Sequence, residues 1–198
     1  MGYTATELRL LSESYLESYG TLSQAKKDFG PTGHRVASSR DLAFLDILHG
    51  LKEGSGLATS ESWIYHGRKV FLTKVPLTIE ELEEAERFNR HGREYFLREE
   101  QFARLLQGSI ETGFLGYIQT GNFERDKLPK YLFEDLRKDY KKSLRERDVS
   151  TIFIHLHRDT LYENPFIRPF SFIPHETFPL IMGNGSFNQN YRILGIKN

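Results

Sequence analysis

The sequence predicts an α+β protein in which a helical N-terminal part and a long bridging helix precede a C-terminal helix and an antiparallel sheet. Three observations carry this expectation. Apolar residues recur at helical spacing behind hydroxyl caps through much of the chain up to Arg147. Two β-rich runs, Ser62 to Tyr65 and Lys69 to Val75, flank a His66-Gly67 turn. From Ser150 onward the apolar period shortens to two.

Thr4-Ala5-Thr6-Glu7 is a capping box, a hydroxyl followed three residues later by a carboxylate that reaches back to the backbone. Leu8, Leu11, Tyr15 and Tyr19 then predict a helix that Gly20 closes. Thr21-Leu22-Ser23-Gln24 opens a second, short helix that ends at Phe29-Gly30-Pro31. After Gly33 the chain reads as helix again, with Val36, Leu42, Leu45, Leu48 and Leu51 as its stripe and a break near Ser38-Ser39. The Lys52 to Ser60 stretch reads as a loop, and the hairpin follows.

Thr78-Ile79-Glu80-Glu81 is a further capping box, and Leu77 with Leu82 forms a hydrophobic staple. They start the longest expected helix, over 79–107, with its glutamates early and Arg87, Arg90, Arg93 and Arg98 later, an order that suits the helix dipole. Gly92 is the position where it would kink or admit a close neighbour. Residues 108–128 read as irregular with a short strand at 114–118, and Pro129 starts a helix running to about Arg147. Beyond Ser150, Ile152, Ile154 and Leu156 point one way and Phe153, His155 and His157 the other. Further strands are expected at 166–173, 177–182 and 187–196, with Gly183-Asn184-Gly185 as a turn. The expected division is 1–76, the helical part with its hairpin, and 77–198, the long helix with the C-terminal α+β part; a single compact domain is the alternative.

Composition narrows the function classes. The 198 residues are 38% hydrophobic and 27% charged, an ordinary globular balance. There is no cysteine, so disulfide scaffolds, thiol nucleophiles and cysteine-bound metals are excluded. Twenty-seven basic residues meet 27 acidic ones, so any nucleic-acid contact would be made by a local patch. No apolar run approaches the roughly 20 residues of a membrane helix, and the first residues lack the pattern of a secretory signal. A cytoplasmic protein is the expectation, with no membrane partner and with homo-oligomerisation left open.

Residues 21–40, TLSQAKKDFGPTGHRVASSR, resemble the helix-turn-helix pattern of DNA-binding proteins. Gly30 stands at the turn and Val36 six residues later, where a β-branched residue locks the second helix onto the first. The sequence departs from the pattern at Lys26, where a small residue is usual, and at Pro31 directly after the glycine. The resemblance implies a second helix presenting His34, Arg35, Ser38, Ser39 and Arg40 to a DNA groove. The hairpin would then act as a wing with Arg68 and Lys69 at its tip, as in winged helices.

A second candidate lies near the C-terminus. His155 and His157 alternate along one strand face, a spacing at which two imidazoles can chelate one divalent metal. His175, with Asp159, Glu163 and Glu176, stands close enough in sequence to complete a site. Without metal, the same histidines beside Arg158 or Arg168 suit acid–base hydrolysis; the alternative is that they are hydrogen-bonded strand residues. No P-loop, Rossmann fingerprint or GxSxG elbow is present. Three functions follow from the sequence: a nucleic-acid-binding protein, a small metal-dependent or histidine-based hydrolase, and a non-enzymatic interaction protein.

Overall fold

The longest strand, Leu57–His66, runs through the middle of a ten-stranded mixed sheet. The computed structural model describes residues 15–51, 56–113, 115–157, 163–175, 177 and 179–198. In chain order the elements are β1 (Tyr15–Gly20), α1 (Leu22–Phe29), β2 (His34–Val36), α2 (Ser39–His49), β3 (Leu57–His66) and β4 (Lys69–Thr73). Then come α3 (Ile79–Arg90), α4 (Glu99–Leu106), β5 (Ser109–Glu111), β6 (Tyr117–Gln119), α5 (Lys127–Phe133) and α6 (Arg137–Glu146). The last four strands are β7 (Thr151–Leu156), β8 (Phe166–Ile173), β9 (Leu180–Gly183) and β10 (Tyr191–Lys197).

The main strand order is β1-β10-β3-β8-β9-β7-β6; β2 pairs with β10, and β4 and β5 extend from β3. Most pairs are antiparallel, but β10–β3 and β7–β9 are parallel. The expected architecture, a helical winged-helix-like N-terminal part followed by a separate antiparallel sheet, is therefore replaced by one large sheet. Strands from both ends of the chain pair within it.

Each departure has a local cause. Residues 15–20 pair with β10 as an edge strand instead of completing a helix, because the C-terminal strand offers a ladder over all six residues; the capping box at Thr4 lies outside the described residues. After α1, a short 3-10 turn over Gly30–Thr32 ends at Gly33, whose φ of +73° lets the chain reverse into β2. His34, Arg35 and Val36 then pair with Lys197, Ile196 and Gly195, so the expected recognition helix is a strand. Helix begins only at Ser39, behind a Ser38–Asp41 capping box.

The hairpin is present, with Gly67 at φ +58°, but β3 is buried on both faces and cannot be a projecting wing. The long helix stops at Arg90. Gly92 takes φ +68°, and residues 93–98 extend along β8, where the Leu97 amide donates to the Pro165 carbonyl at 2.8 Å. Helix restarts at Glu99. The helix expected beyond Pro129 is interrupted at Glu134, whose φ is +49°.

Two helical layers flank the sheet. Leu42 and Leu45 of α2, Leu128, Leu132 and Phe133 of α5, and Tyr140 and Leu144 of α6 pack with Trp63, Phe170, Phe172, Ile152, Ile154 and Ile181. On the opposite face, Leu22, Ala25 and Phe29 of α1, Leu82 and Ala85 of α3, and Leu105 of α4 pack on Ile64, Ile167 and Ile193. A buried glutamate anchors one helix of each layer. Glu61 accepts from the Ser39 amide at 3.0 Å and the Ser39 hydroxyl at 2.8 Å, at the start of α2. Glu86 accepts from the Ser23 amide at 3.1 Å, at the start of α1. Both place negative charge where a helix exposes unpaired N–H groups.

Candidate binding face

Among the described residues the second layer of helices reaches no further than β8. Strands β9, β7 and β6 continue past it, buried on one side only, and the alternation of β7 shows the result. Ile152, Ile154 and Leu156 enter the core, while Phe153 and His155 stand exposed. Residues opposite each other in adjacent strands project from the same face, so the pairing register identifies what lies beside them. Tyr117 is opposite Phe153, Phe153 opposite Leu180, and Leu180 opposite Ile173. These four side chains form one row across the sheet. In the next row His155 is opposite Met182, and Met182 opposite Ser171. The Ile154 amide donates to the Gly116 carbonyl at 2.9 Å, which extends the β6–β7 register to Gly116, next to Leu115.

Tyr117 is 56%, Phe153 48% and Leu115 39% exposed. One exposed apolar side chain is ordinary, but several adjacent ones on a regular sheet form a patch. A cavity of about 260 Å³ adjoins it, lined by residues that include Ile110, Glu111, Leu115, Tyr117, Asp126 and Leu128. Leu115 and Tyr117 belong to both the patch and the cavity. The alternation of residues 151–156 set Phe153 and His155 on the face opposite Ile152, Ile154 and Leu156. Leu115, Tyr117, Leu180 and Met182 were missed, because only strand order and register make them neighbours.

The residues expected to contact DNA are engaged elsewhere. Arg35 donates to Asp41 at 2.6 and 3.1 Å, and Arg40 to Asp135 at 2.8 and 3.1 Å. Burial pushes the Asp41 carboxyl up, but the Arg35 guanidinium and the Ser38 amide and hydroxyl outweigh it, and the group titrates below the ordinary aspartate range. The Arg40 hydrogen bond likewise holds Asp135 down. Ser38 caps α2, and Ser39 is buried against Glu61. The His34 ring nitrogen Nδ1 lies 3.0 Å from the Thr32 carbonyl. Arg68 is exposed at the hairpin turn, while Lys69 pairs with Glu111 at 3.2 Å. Arg35, Arg40 and Lys69 therefore face carboxylates, and residues 34–36 form a strand in place of the expected helix. The expectation of a helix-turn-helix nucleic-acid-binding protein is overturned by the sheet that takes its place.

The three histidines have different surroundings. His155 belongs to the exposed face. The His157 ring meets Tyr65 and Phe166 edge-on at centroid distances of 5.9 and 5.5 Å. His175 Nδ1 accepts from the Thr177 amide at 3.2 Å. Among the described residues no three His, Asp or Glu side chains converge as metal ligands; Arg158, Asp159 and Glu176 lie outside the described residues. Arg168 is bound to Glu94 and donates to the Gly185 carbonyl at 2.9 Å. Among the described residues no helix is long and apolar enough to cross a membrane.

Neither a known family model nor a curated protein matches the chain. Among solved structures it is similar to a protein described under "Accommodation of massive sequence variation in Nanoarchaeota by the C-type lectin fold". The two share 18% identity with a TM-score of 0.67, over 92% of this chain and 97% of the other. At that identity the likeness shows the fold alone: a C-type lectin fold built on a large mixed sheet.

Proposed function

We propose that this chain is a recognition protein that binds a protein partner on the open sheet face around Tyr117 and Phe153. The single observation that supports this reading most strongly is the row Tyr117–Phe153–Leu180–Ile173, which no helix covers among the described residues, whereas β3, β8 and β10 pack under helices on the same side. Aromatic side chains offer large contact area at low entropic cost, and such residues dominate the energetics of protein interfaces. The fold is compatible with this role. The similar solved protein is described as accommodating massive sequence variation by the C-type lectin fold. A scaffold whose core is held from the opposite face leaves its outward side chains free to be chosen for a partner.

The test is selection of binders to the full chain from a display library, followed by affinity measurement on variants. Phe153→Ser is expected to weaken selected binders by about ten-fold or more, the scale of an interface hot spot. Tyr19→Ser, on the edge strand β1 at the far end of the strand order, is expected to leave them unchanged. Binders that lose affinity only with Tyr19→Ser would refute the assignment of the face.

A further inference from the structure

We propose that the occupant of this face is an extended segment of a partner protein that adds as a strand to the outer edge of β6 and seats side chains in the adjoining cavity. The inference rests on the reading of the open face and specifies its partner. It starts from hydrogen-bond direction. In an antiparallel pair, alternate residues direct their N–H and C=O toward the neighbour. The Ile154 amide donates to Gly116 and the Thr120 amide to Ser150, both at 2.9 Å, and Ile118 is opposite Ile152. Residues 116, 118 and 120 therefore face β7. Tyr117 and Gln119 turn their backbone N–H groups the other way, where β6 is the last strand of the order among the described residues.

The cavity lies on that side. Its wall includes Tyr117 and Ile118 of β6, Ile110 and Glu111 of β5, and Leu128 at the start of α5. Among the described residues strand β5 pairs only with β4, and the Thr112 amide donates to Val70 at 2.9 Å, so the backbone of Glu111 also turns away from its partner strand. Two strand edges thus border one cavity of mixed apolar and charged lining. An extended segment satisfies the outward amides of β6. Its alternate side chains point to opposite faces: one set enters the cavity over Ile118 and Leu128, and the other lies beside Leu115 and Tyr117. Glu111 and Asp126 stand against Lys127 in the cavity wall, so a segment carrying a basic side chain is favoured over an acidic one.

The probe is a phage-displayed library of random linear peptides selected against the full chain. Gln119→Pro removes one outward N–H. Its φ of −81° is close to the roughly −65° of a prolyl ring, and the Thr120–Ser150 bond is left in place. Selected peptides are expected to weaken by about ten-fold with Gln119→Pro, the loss of about one backbone hydrogen bond, and to bind Gln119→Ala as they bind wild type. A scan of N-methyl groups along the peptide, which leaves the protein untouched, is expected to weaken binding at alternate residues. Peptides indifferent to both changes but weakened by Phe153→Ser would overturn strand addition and leave the face standing; indifference to all three would overturn both. Selection of no linear peptide would overturn strand addition. A dimer of the chain alone that Gln119→Pro dissociates would overturn it in favour of a second copy as the occupant.

Discussion

Asp46→Ala tests how the core face beneath β7 is held. The Asp46 side chain is 2% exposed and accepts from both terminal nitrogens of Arg147, at 3.2 and 2.6 Å, and from the Leu51 amide at 2.9 Å. It joins the end of α2 to the residue that caps α6. The Tyr140 hydroxyl lies beside the pair, and complete burial, then the charge of Asp46, raises its pKa well above the ordinary tyrosine value. Removing the carboxylate leaves an amide and a guanidinium without their acceptor. Breaking a fully buried pair costs about 3–5 kcal/mol. Arg147 is 28% exposed and regains some water, which lowers the expected loss to about 2–4 kcal/mol. In urea this is a fall of about 1–2 M in midpoint at a slope of about 2 kcal/mol/M. Glu83, exposed and paired with Lys27, is the control: Glu83→Ala is expected to change stability by at most about 0.5 kcal/mol. Equal midpoints for Asp46→Ala and wild type would show that α2 and α6 are not coupled through this pair.

Three further outcomes follow. Gly183→Ala is expected to destabilise by about 1–3 kcal/mol in the same assay, since an added Cβ would lie 2.8 Å from Trp63 and Tyr65 and 2.9 Å from Leu156. The Asp41 carboxyl titrates lower folded than unfolded, so its stabilisation is present above the ordinary aspartate range and is lost as pH falls through the folded value. Asp41→Asn is therefore expected to lower the melting temperature at neutral pH and to converge with wild type in acid. Glu61→Ala leaves the buried Ser39 amide without its acceptor and the Ser39 hydroxyl with the Leu132 carbonyl at 3.2 Å, and is expected to cost about 1–3 kcal/mol by urea denaturation.

What the sequence disclosed was local. The Thr21 and Thr78 caps start helices where the hydroxyl pattern put them, and Gly67 turns the hairpin. The alternation over residues 151–156 put Phe153 and His155 together on one face, which the structure shows to be the exposed one. What it concealed was long-range pairing. Tyr15 and Tyr19 fit a helical stripe as well as a strand, and only β10, more than 170 residues away, decides between them. Val36 satisfied the helix-turn-helix spacing, yet it is buried because β2 docks on the same strand. Residues 93–98 fell inside the helix expected over 79–107, but Gly92 breaks it and the Leu97 amide bonds Pro165 instead. The face itself was unreadable for the same reason: Tyr117, Phe153, Leu180 and Ile173 come from four strands whose order follows no sequence rule.

Hydroxyl-radical footprinting of the chain, alone and bound to a selected partner, tests the open face most directly. Bound partner is expected to protect Leu115, Tyr117, Phe153 and Met182 while Tyr15 and Tyr19 stay reactive. Unchanged labelling of Tyr117 and Phe153, with protection at another surface, would contradict the account.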